Sequence, residues 1–448
     1  MTVPALPILP TSVVGSYAIP AWLWAAYEKI EAGGFGAMDL AETENDAVET
    51  AIRDQERAGV DLISDGEMRR QGFIVSIFQY FGGLRPIEPR RKVGVLSYDG
   101  HVFYEPVERI SAPDGLGTLK ELDYLRQATP RPFKITLPGP LTLATQITKG
   151  GPYRDRYEVA ADLAPILNRE LRALAAGGAR NLQLDDVYQS FIMDPKRLVE
   201  FYDRCFEGVA VERRFWHICF GTLEGFGFGE RTYRPLFPTI SSVCADQLVF
   251  EFANREMAES GLWREFDCPK ELGAGVLDLK NFYVESAELV ARRIRRVLET
   301  VPAERLWINP DCGLARLPRH LAFAKLQALV AGTRQVRAEL GERTEPARIC
   351  LGPPSVAPGT SSDKIEPAGT SLRPPSIAPT TSSDKIEPAG TSLRPPSIAP
   401  TTSSDKIEPA GISLGPPSVA PTTSSDKIEP AGISLRPPSV APTTSSDP

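Results

Sequence analysis

Eight short β-rich runs, each followed by a helical pattern, predict an α/β fold for residues 1–342: a (β/α)8 TIM barrel of parallel strands. Two further observations support this. Polar residues cluster at or just past the C-terminal ends of the runs, where such barrels carry their chemistry. The composition also breaks near residue 343, where a tandem repeat begins, and this sets the end of the folded part.

The runs follow one another in order. Ser12-Val13-Val14-Gly15-Ser16 is the first, and Val60-Asp61-Leu62-Ile63-Ser64 the second, after a helical stretch closed at Arg57-Ala58-Gly59. Phe133-Lys134-Ile135-Thr136-Leu137 is the third, closed by Pro138-Gly139-Pro140. Asn181-Leu182-Gln183-Leu184-Asp185 follows a Leu- and Ala-rich helix that ends at Gly177-Gly178. Arg214-Phe215-Trp216-His217-Ile218-Cys219 is the fifth run and Gln247-Leu248-Val249-Phe250-Glu251 the sixth. The seventh spans Leu272 to Asp278, and Arg305-Leu306-Trp307-Ile308-Asn309 is the eighth.

Beyond residue 343 Pro-Pro-Ser recurs at Pro353, Pro374, Pro395, Pro416 and Pro437, a period of 21 residues. Each unit has several prolines, balanced charge and almost no large apolar side chains. It cannot bury enough surface to offset chain entropy, so residues 343–448 read as a disordered tail with no identifiable partner. The formal net charge of −7 offers no basic face for nucleic acid. The start, MTVPALPILPTS, lacks a basic segment and is broken by prolines, and no run of 18 or more apolar residues appears, so neither a secretory signal nor a membrane span is expected. Six cysteines in 448 residues are too sparse for a disulfide framework and fit a cytoplasmic protein with free thiols.

The fifth run carries the most specific pattern. In a strand, residues i and i+2 share a face, so His217 and Cys219 project together as an N and S ligand pair for a soft metal, zinc first. A buried histidine and thiol that merely share a face is the alternative. Cys312, after the eighth run, offers a third ligand. Glu251 ends the buried sixth run and needs a positive partner, which is either the metal or a base such as Arg255. Ser16, Asp65 with Glu67, Asp185, Asp278 and Asp311 also fall at run ends. Of these, Glu251 and Asp278 are the candidate catalytic groups.

These residues carry a resemblance to the catalytic C-terminal barrel of cobalamin-independent methionine synthase, and more closely to the short single-barrel relatives of that enzyme. It rests on Val14-Gly15-Ser16, Asp65-Gly66-Glu67-Met68-Arg69-Arg70, Leu137-Pro138-Gly139-Pro140-Leu141-Thr142, Leu182-Gln183-Leu184-Asp185, His217-Ile218-Cys219, Phe250-Glu251 and the stretch from Glu304 to Leu314. The resemblance implies a 5-methyltetrahydropteroyltriglutamate–homocysteine S-methyltransferase. In such an enzyme His217, Cys219, Glu251 and Cys312 bind zinc, and Ser16, Glu67 and Asp185 bind the amino-acid part of homocysteine. A folate polyglutamate supplies the methyl group.

The chain departs from that pattern in three places. It has no room for the second, N-terminal barrel of the long enzymes. It reads Asp185-Asp186-Val187 where they have Asp-Glu-Pro, and Asp278-Leu279-Lys280 where they have Asp-Ile-His. For a pterin, Trp22, Trp24 and Trp263 are candidate aromatic surfaces, each equally accounted for by packing. Two rival readings stand beside methyl transfer to homocysteine. One is alkyl transfer to another thiol, as in epoxyalkane–coenzyme M transferases. The other is a non-catalytic, zinc-stabilised barrel with an interaction tail.

Overall fold

The computed structural model describes residues 6–70, 75–87, 103–187, 193–221 and 230–341. The repeat tail and the end of the predicted barrel region at residue 342 lie outside the described residues. Six of the predicted runs form a continuous parallel sheet. Its strands are β3 (Ile135–Pro138), β4 (Asn181–Val187), β5 (Arg213–Cys219), β6 (Gln247–Glu251), β7 (Glu271–Leu277) and β8 (Leu306–Pro310), each paired with the next in that order. β6 has the predicted ends, and the others shift by one or two residues. Because β7 stops at Leu277, Asp278 lies just beyond it.

The first two runs close the ring with single bridges rather than full strands. Thr11 pairs with Ile308, Ser12 with Leu62, and Ile63 with Phe133, all parallel. Beyond the bridges the two segments stay joined, as the Val13 N–H donates to the Leu62 carbonyl at 3.4 Å and the Tyr17 N–H to the Gly66 carbonyl at 2.9 Å. An antiparallel hairpin, β1 (Gly82–Ile87) with β2 (Phe103–Ser111), sits between the second and third barrel segments. It was not expected, since β1 lacks apolar alternation and its residues are half-buried or exposed.

Strand alternation sorts the core into two layers. Val14, Leu62, Phe215, Val249 and Trp307 form a small cluster inside the ring, and the opposite faces join a larger cluster beneath the helices. That outer shell includes α1 (Ala21–Glu31), α2 (Ala37–Ala58), α3 (Leu119–Ala128), α4 (Pro140–Ala144), α5 (Arg156–Ala176), α6 (Pro195–Phe206), α7 (Leu262–Glu265), α8 (Ala287–Leu298) and α9 (Arg319–Glu339). Local signals set the helix ends. Asp155 caps α5 through the N–H groups of Tyr157 and Glu158 at 2.9 and 3.0 Å, and Ser286 caps α8. Gly59, at φ 87°, ends α2 where predicted. None of the helices among the described residues is long and apolar enough to cross a membrane.

Candidate metal centre and substrate site

Because Phe215 faces the barrel interior, so do His217 and Cys219, two and four residues further along β5. Both are almost fully buried. His217 Nδ1 lies 3.1 Å from the Val249 carbonyl oxygen, so Nδ1–H donates there and Nε2 presents a lone pair. Nε2 has no hydrogen-bond partner among the described residues. Cys312, two residues past β8, brings its Sγ to 3.9 Å from that of Cys219. The donor atoms of His217, Cys219 and Cys312 all lie within 4.8 Å of one another.

This set fits a soft metal ion. Two thiolates about 2.3 Å from a tetrahedral zinc are about 3.8 Å apart, close to the separation seen here. One imidazole nitrogen and two sulfurs are also the donors that zinc prefers over harder cations. The contact with Cys219 holds the Cys312 thiol well below its ordinary range, burial opposes this, and His217 reinforces it. The same contact, together with burial, pushes Cys219 up.

Glu251 lies at the end of β6, fully buried, but its carboxylate is not within the three-residue set. Lys280 Nζ donates to both its oxygens, at 3.0 and 3.1 Å. Lys280 is thus the base that pairs with this buried carboxylate, while Arg255 pairs with Glu259. Asp278, the other candidate catalytic group, is half-buried and shapes the loop that follows. Its Oδ1 accepts from the Lys280 N–H at 2.8 Å, and its Oδ2 accepts from Asn281 Nδ2.

The three substrate candidates converge on the same end of the barrel. A Cβ built on Gly313 would lie 2.0 Å from Ser16 Oγ, so Ser16 borders the residue next to Cys312. Glu67 sits at φ 57°, an uncommon conformation for a residue with a side chain, and Asp65 Oδ1 accepts its N–H at 2.9 Å. Its carboxylate takes the Thr136 hydroxyl at 2.6 Å and passes so near Gly15 that a Cβ there would lie 2.3 Å from Oε1. Burial pushes Glu67 up, against the nearby Arg70 guanidinium. Asp185 is pushed up to about 8 by burial; His217 and Lys134 oppose this, and the Glu67 charge adds to it. Its Oδ1 accepts from Gln183 Nε2 at 2.7 Å, while Oδ2 is buried without a partner among the described residues.

Lys134 and Tyr233 help to build this site and were missed by the sequence reading, whereas Asp311 was already placed at a run end. Lys134, fully buried on the run leading into β3, donates to Gln183 Oε1 at 2.6 Å. That fixes the Gln183 amide with its NH2 group toward Asp185 and the Val14 carbonyl. Tyr233, from the loop after β5, accepts the Glu251 N–H at 3.0 Å and donates to the Ile218 carbonyl at 2.8 Å, tying β6 to β5. Asp311 accepts the N–H groups of Phe252, Ala253 and Asn254 and the Asn254 side-chain amide, at 2.8–3.0 Å, and so anchors the residue before Cys312. Asp186 turns to other partners, accepting from the Thr142 hydroxyl at 2.7 Å and from Trp216 Nε1 at 2.9 Å. Trp263, a candidate aromatic surface, is instead core, 2% exposed and packed edge-on against Phe237 and Phe250. Phe282 and Tyr283, on the loop after β7, are 67% and 62% exposed.

An Asp311→Ala protein should lose about 2 kcal/mol or more of stability, since four donors would lose their shared acceptor. Thermal unfolding measures this, and an unchanged midpoint would mean the anchor is dispensable.

Comparison with known proteins agrees with this geometry. A family model described as the catalytic domain of cobalamin-independent synthase matches residues 9–335. A methionine synthase of Saccharolobus solfataricus is 34% identical over 338 residues, covering 75% of this chain and 97% of the relative. The structure of a B12-independent methionine synthase from Shewanella sp. W3-18-1, in complex with selenomethionine, superposes with a TM-score of 0.64 at 27% identity, covering 75% of this chain and 99% of that one. A putative vitamin-B12-independent methionine synthase from Listeria monocytogenes shares the fold, with a TM-score of 0.55 at 21% identity and coverage of 75% and 99%. With a family match running from the first barrel segment to the last helix, the chain belongs to the cobalamin-independent methionine synthases through their catalytic domain.

Proposed function

We propose that this protein transfers a methyl group to the sulfur of homocysteine, forming methionine, with zinc held by His217, Cys219 and Cys312 and a 5-methyltetrahydrofolate polyglutamate as donor. The observation that carries the reading is the N/S ligand set at the barrel mouth beside two buried carboxylates, Glu67 and Asp185, that lack a full cationic complement. The relatives' names and the selenomethionine complex of the Shewanella enzyme support the same acceptor. Zinc in such a set lowers the pKa of an entering thiol, while its two thiolate ligands keep that sulfur electron-rich enough to attack a methyl carbon.

The chain's own residues supply recognition. The unpartnered Asp185 Oδ2 and the Glu67 carboxylate suit the substrate ammonium, and Ser16 suits its carboxylate. Lys134, through Gln183, keeps Asp185 turned toward the site. His217 is held in one tautomer by Val249, so its free nitrogen is always the one offered to the metal. Phe282 and Tyr283 provide exposed aromatic surface at the mouth for a pterin. The same reading takes residues 1–342 as the catalytic unit and 343–448 as a separate tail.

The test is a product assay on full-length protein, with homocysteine and methyltetrahydrofolate triglutamate, read as methionine by mass spectrometry. Methionine formation that depends on both substrates is expected. Product from coenzyme M and an epoxide but none from homocysteine would move the protein to the alkyltransferase reading. No product with either thiol would favour the non-catalytic one.

A further inference from the structure

We propose that Thr136 is a positioning residue for homocysteine recognition: it holds one oxygen of the Glu67 carboxylate so that the other is presented to the substrate ammonium. This rests on the reading of Glu67 as an ammonium ligand given above and adds the residue that aims it. The Thr136 hydroxyl, on β3 and almost fully buried, donates to Glu67 Oε1 at 2.6 Å. The Arg70 guanidinium approaches the same oxygen, with Nη1 3.8 Å away. Among the described residues every hydrogen bond to this carboxylate goes to Oε1, and Oε2 is left open.

The holder is itself fixed. The Thr136 carbonyl accepts Arg70 Nη2 at 2.8 Å, and Glu121 of α3 grips the same guanidinium through Nε and Nη2 at 3.0 and 2.6 Å. Arg70 and Glu121 are both buried, so their pair ties the Glu67 loop to β3 and α3 out of reach of solvent screening. Asp65 anchors the Glu67 backbone through its N–H, but the last torsion of a glutamate is broad, and backbone anchoring alone leaves the carboxylate free to rotate. The Thr136 hydroxyl removes that freedom. Gly15 leaves the space for this contact, since a Cβ there would lie 2.3 Å from Glu67 Oε1 and 3.2 Å from Thr136 Oγ1.

Asp185 repeats the arrangement, with Oδ1 engaged by Gln183 and Oδ2 without a partner among the described residues. Two carboxylates, each with one oxygen held by the protein and one open, suit an ammonium group, which brings three N–H donors and no acceptor. A thiol with the same carbon chain and carboxylate but no ammonium would leave both open oxygens unpaired in a buried site, a strong ground for rejection. Thr136 thereby helps to select an amino-acid thiol over its deamino counterpart.

The test is isothermal titration calorimetry of the full-length protein with homocysteine and with 4-mercaptobutanoate, which is homocysteine without its amino group. Thr136→Val removes the hydroxyl at nearly constant shape and should weaken homocysteine binding by about tenfold, with 4-mercaptobutanoate held within about threefold of its wild-type affinity. Thr136→Ser keeps the hydroxyl and should hold both ligands within about threefold. In a Glu67→Gln background the Thr136→Val change should have little further effect on homocysteine, because the two side chains act as a unit. Thr136→Ala removes the same hydroxyl and takes the place of the valine variant if that protein does not fold. The proposal is overturned if the protein without the hydroxyl binds homocysteine within about threefold of wild type, or if it loses both ligands equally. Wild-type protein that binds the two thiols alike would instead overturn the reading of Glu67 as an ammonium ligand, and this proposal with it.

Discussion

Cys312→Ser protein is expected to lose both metal and activity while keeping its fold. Cys312 provides one of only three soft donors, and the 3.9 Å approach of its sulfur to that of Cys219 is what gives the set its metal-sized geometry. A hydroxyl is a harder, far less acidic ligand than a thiol. Zinc affinity should fall by more than about 100-fold, beyond what disturbing an outer hydrogen bond costs. Turnover should fall by roughly 10³ or more, because a metal contributes several kcal/mol of charge stabilisation. The serine is smaller than the cysteine and sits beyond β8, where Asp311 and not Cys312 makes the anchoring bonds, so the thermal midpoint of the metal-free protein should change little. Metal content by elemental analysis and methionine formation give the two readouts. A Cys312→Ser protein with full activity would remove the metal centre from the account.

The second large effect is expected at Asp185. Asparagine is nearly isosteric and keeps an oxygen for the Gln183 amide, so the network from Lys134 through Gln183 survives. What is lost is the negative charge and the unpartnered Oδ2. If that oxygen receives the substrate ammonium, one charge-assisted hydrogen bond of roughly 1.5–3 kcal/mol disappears, and kcat/KM for homocysteine falls about 10- to 100-fold. Most of the change should appear in KM, because the ammonium is held alike before and during methyl transfer. A thiol without an ammonium group should show no such loss. Equal losses with both thiols would mean that Asp185 supports the site in some other way.

How much of this was legible in the sequence depends on the range of the interaction. The His217–Cys219 pair follows from the two-residue period of a strand, and the Phe215–His217–Cys219 alternation holds in the structure. β6 ended at Glu251 as expected, since the three apolar residues Leu248, Val249 and Phe250 are bounded by polar Gln247 and Glu251. Cys312 could be placed near the pair because barrel topology gathers strand ends at one mouth. Partners that arrive on loops were not legible. Lys280 reads in sequence as the mere loss of a histidine. Its contact with Glu251 exists because Lys325, 45 positions further along the chain, pins the intervening loop. Tyr233 has no local signal at all, and its role arises from filling the gap between β5 and β6. The first two barrel segments looked like ordinary strands, but their onward residues leave the ladder to build the Ser16 and Glu67 side of the site. In each case function drew the chain away from the regular pattern that local reading assumes.

The central claim is that His217, Cys219 and Cys312 hold a metal whose purpose is to receive the homocysteine sulfur. It is tested most directly by measuring zinc per chain and then following the absorption of the cobalt-substituted protein as homocysteine is added. The account predicts close to one metal per chain, and a new sulfur-to-metal band that saturates with homocysteine and weakens in the Asp185→Asn protein. A metal-free protein, or a cobalt spectrum indifferent to homocysteine, would contradict it.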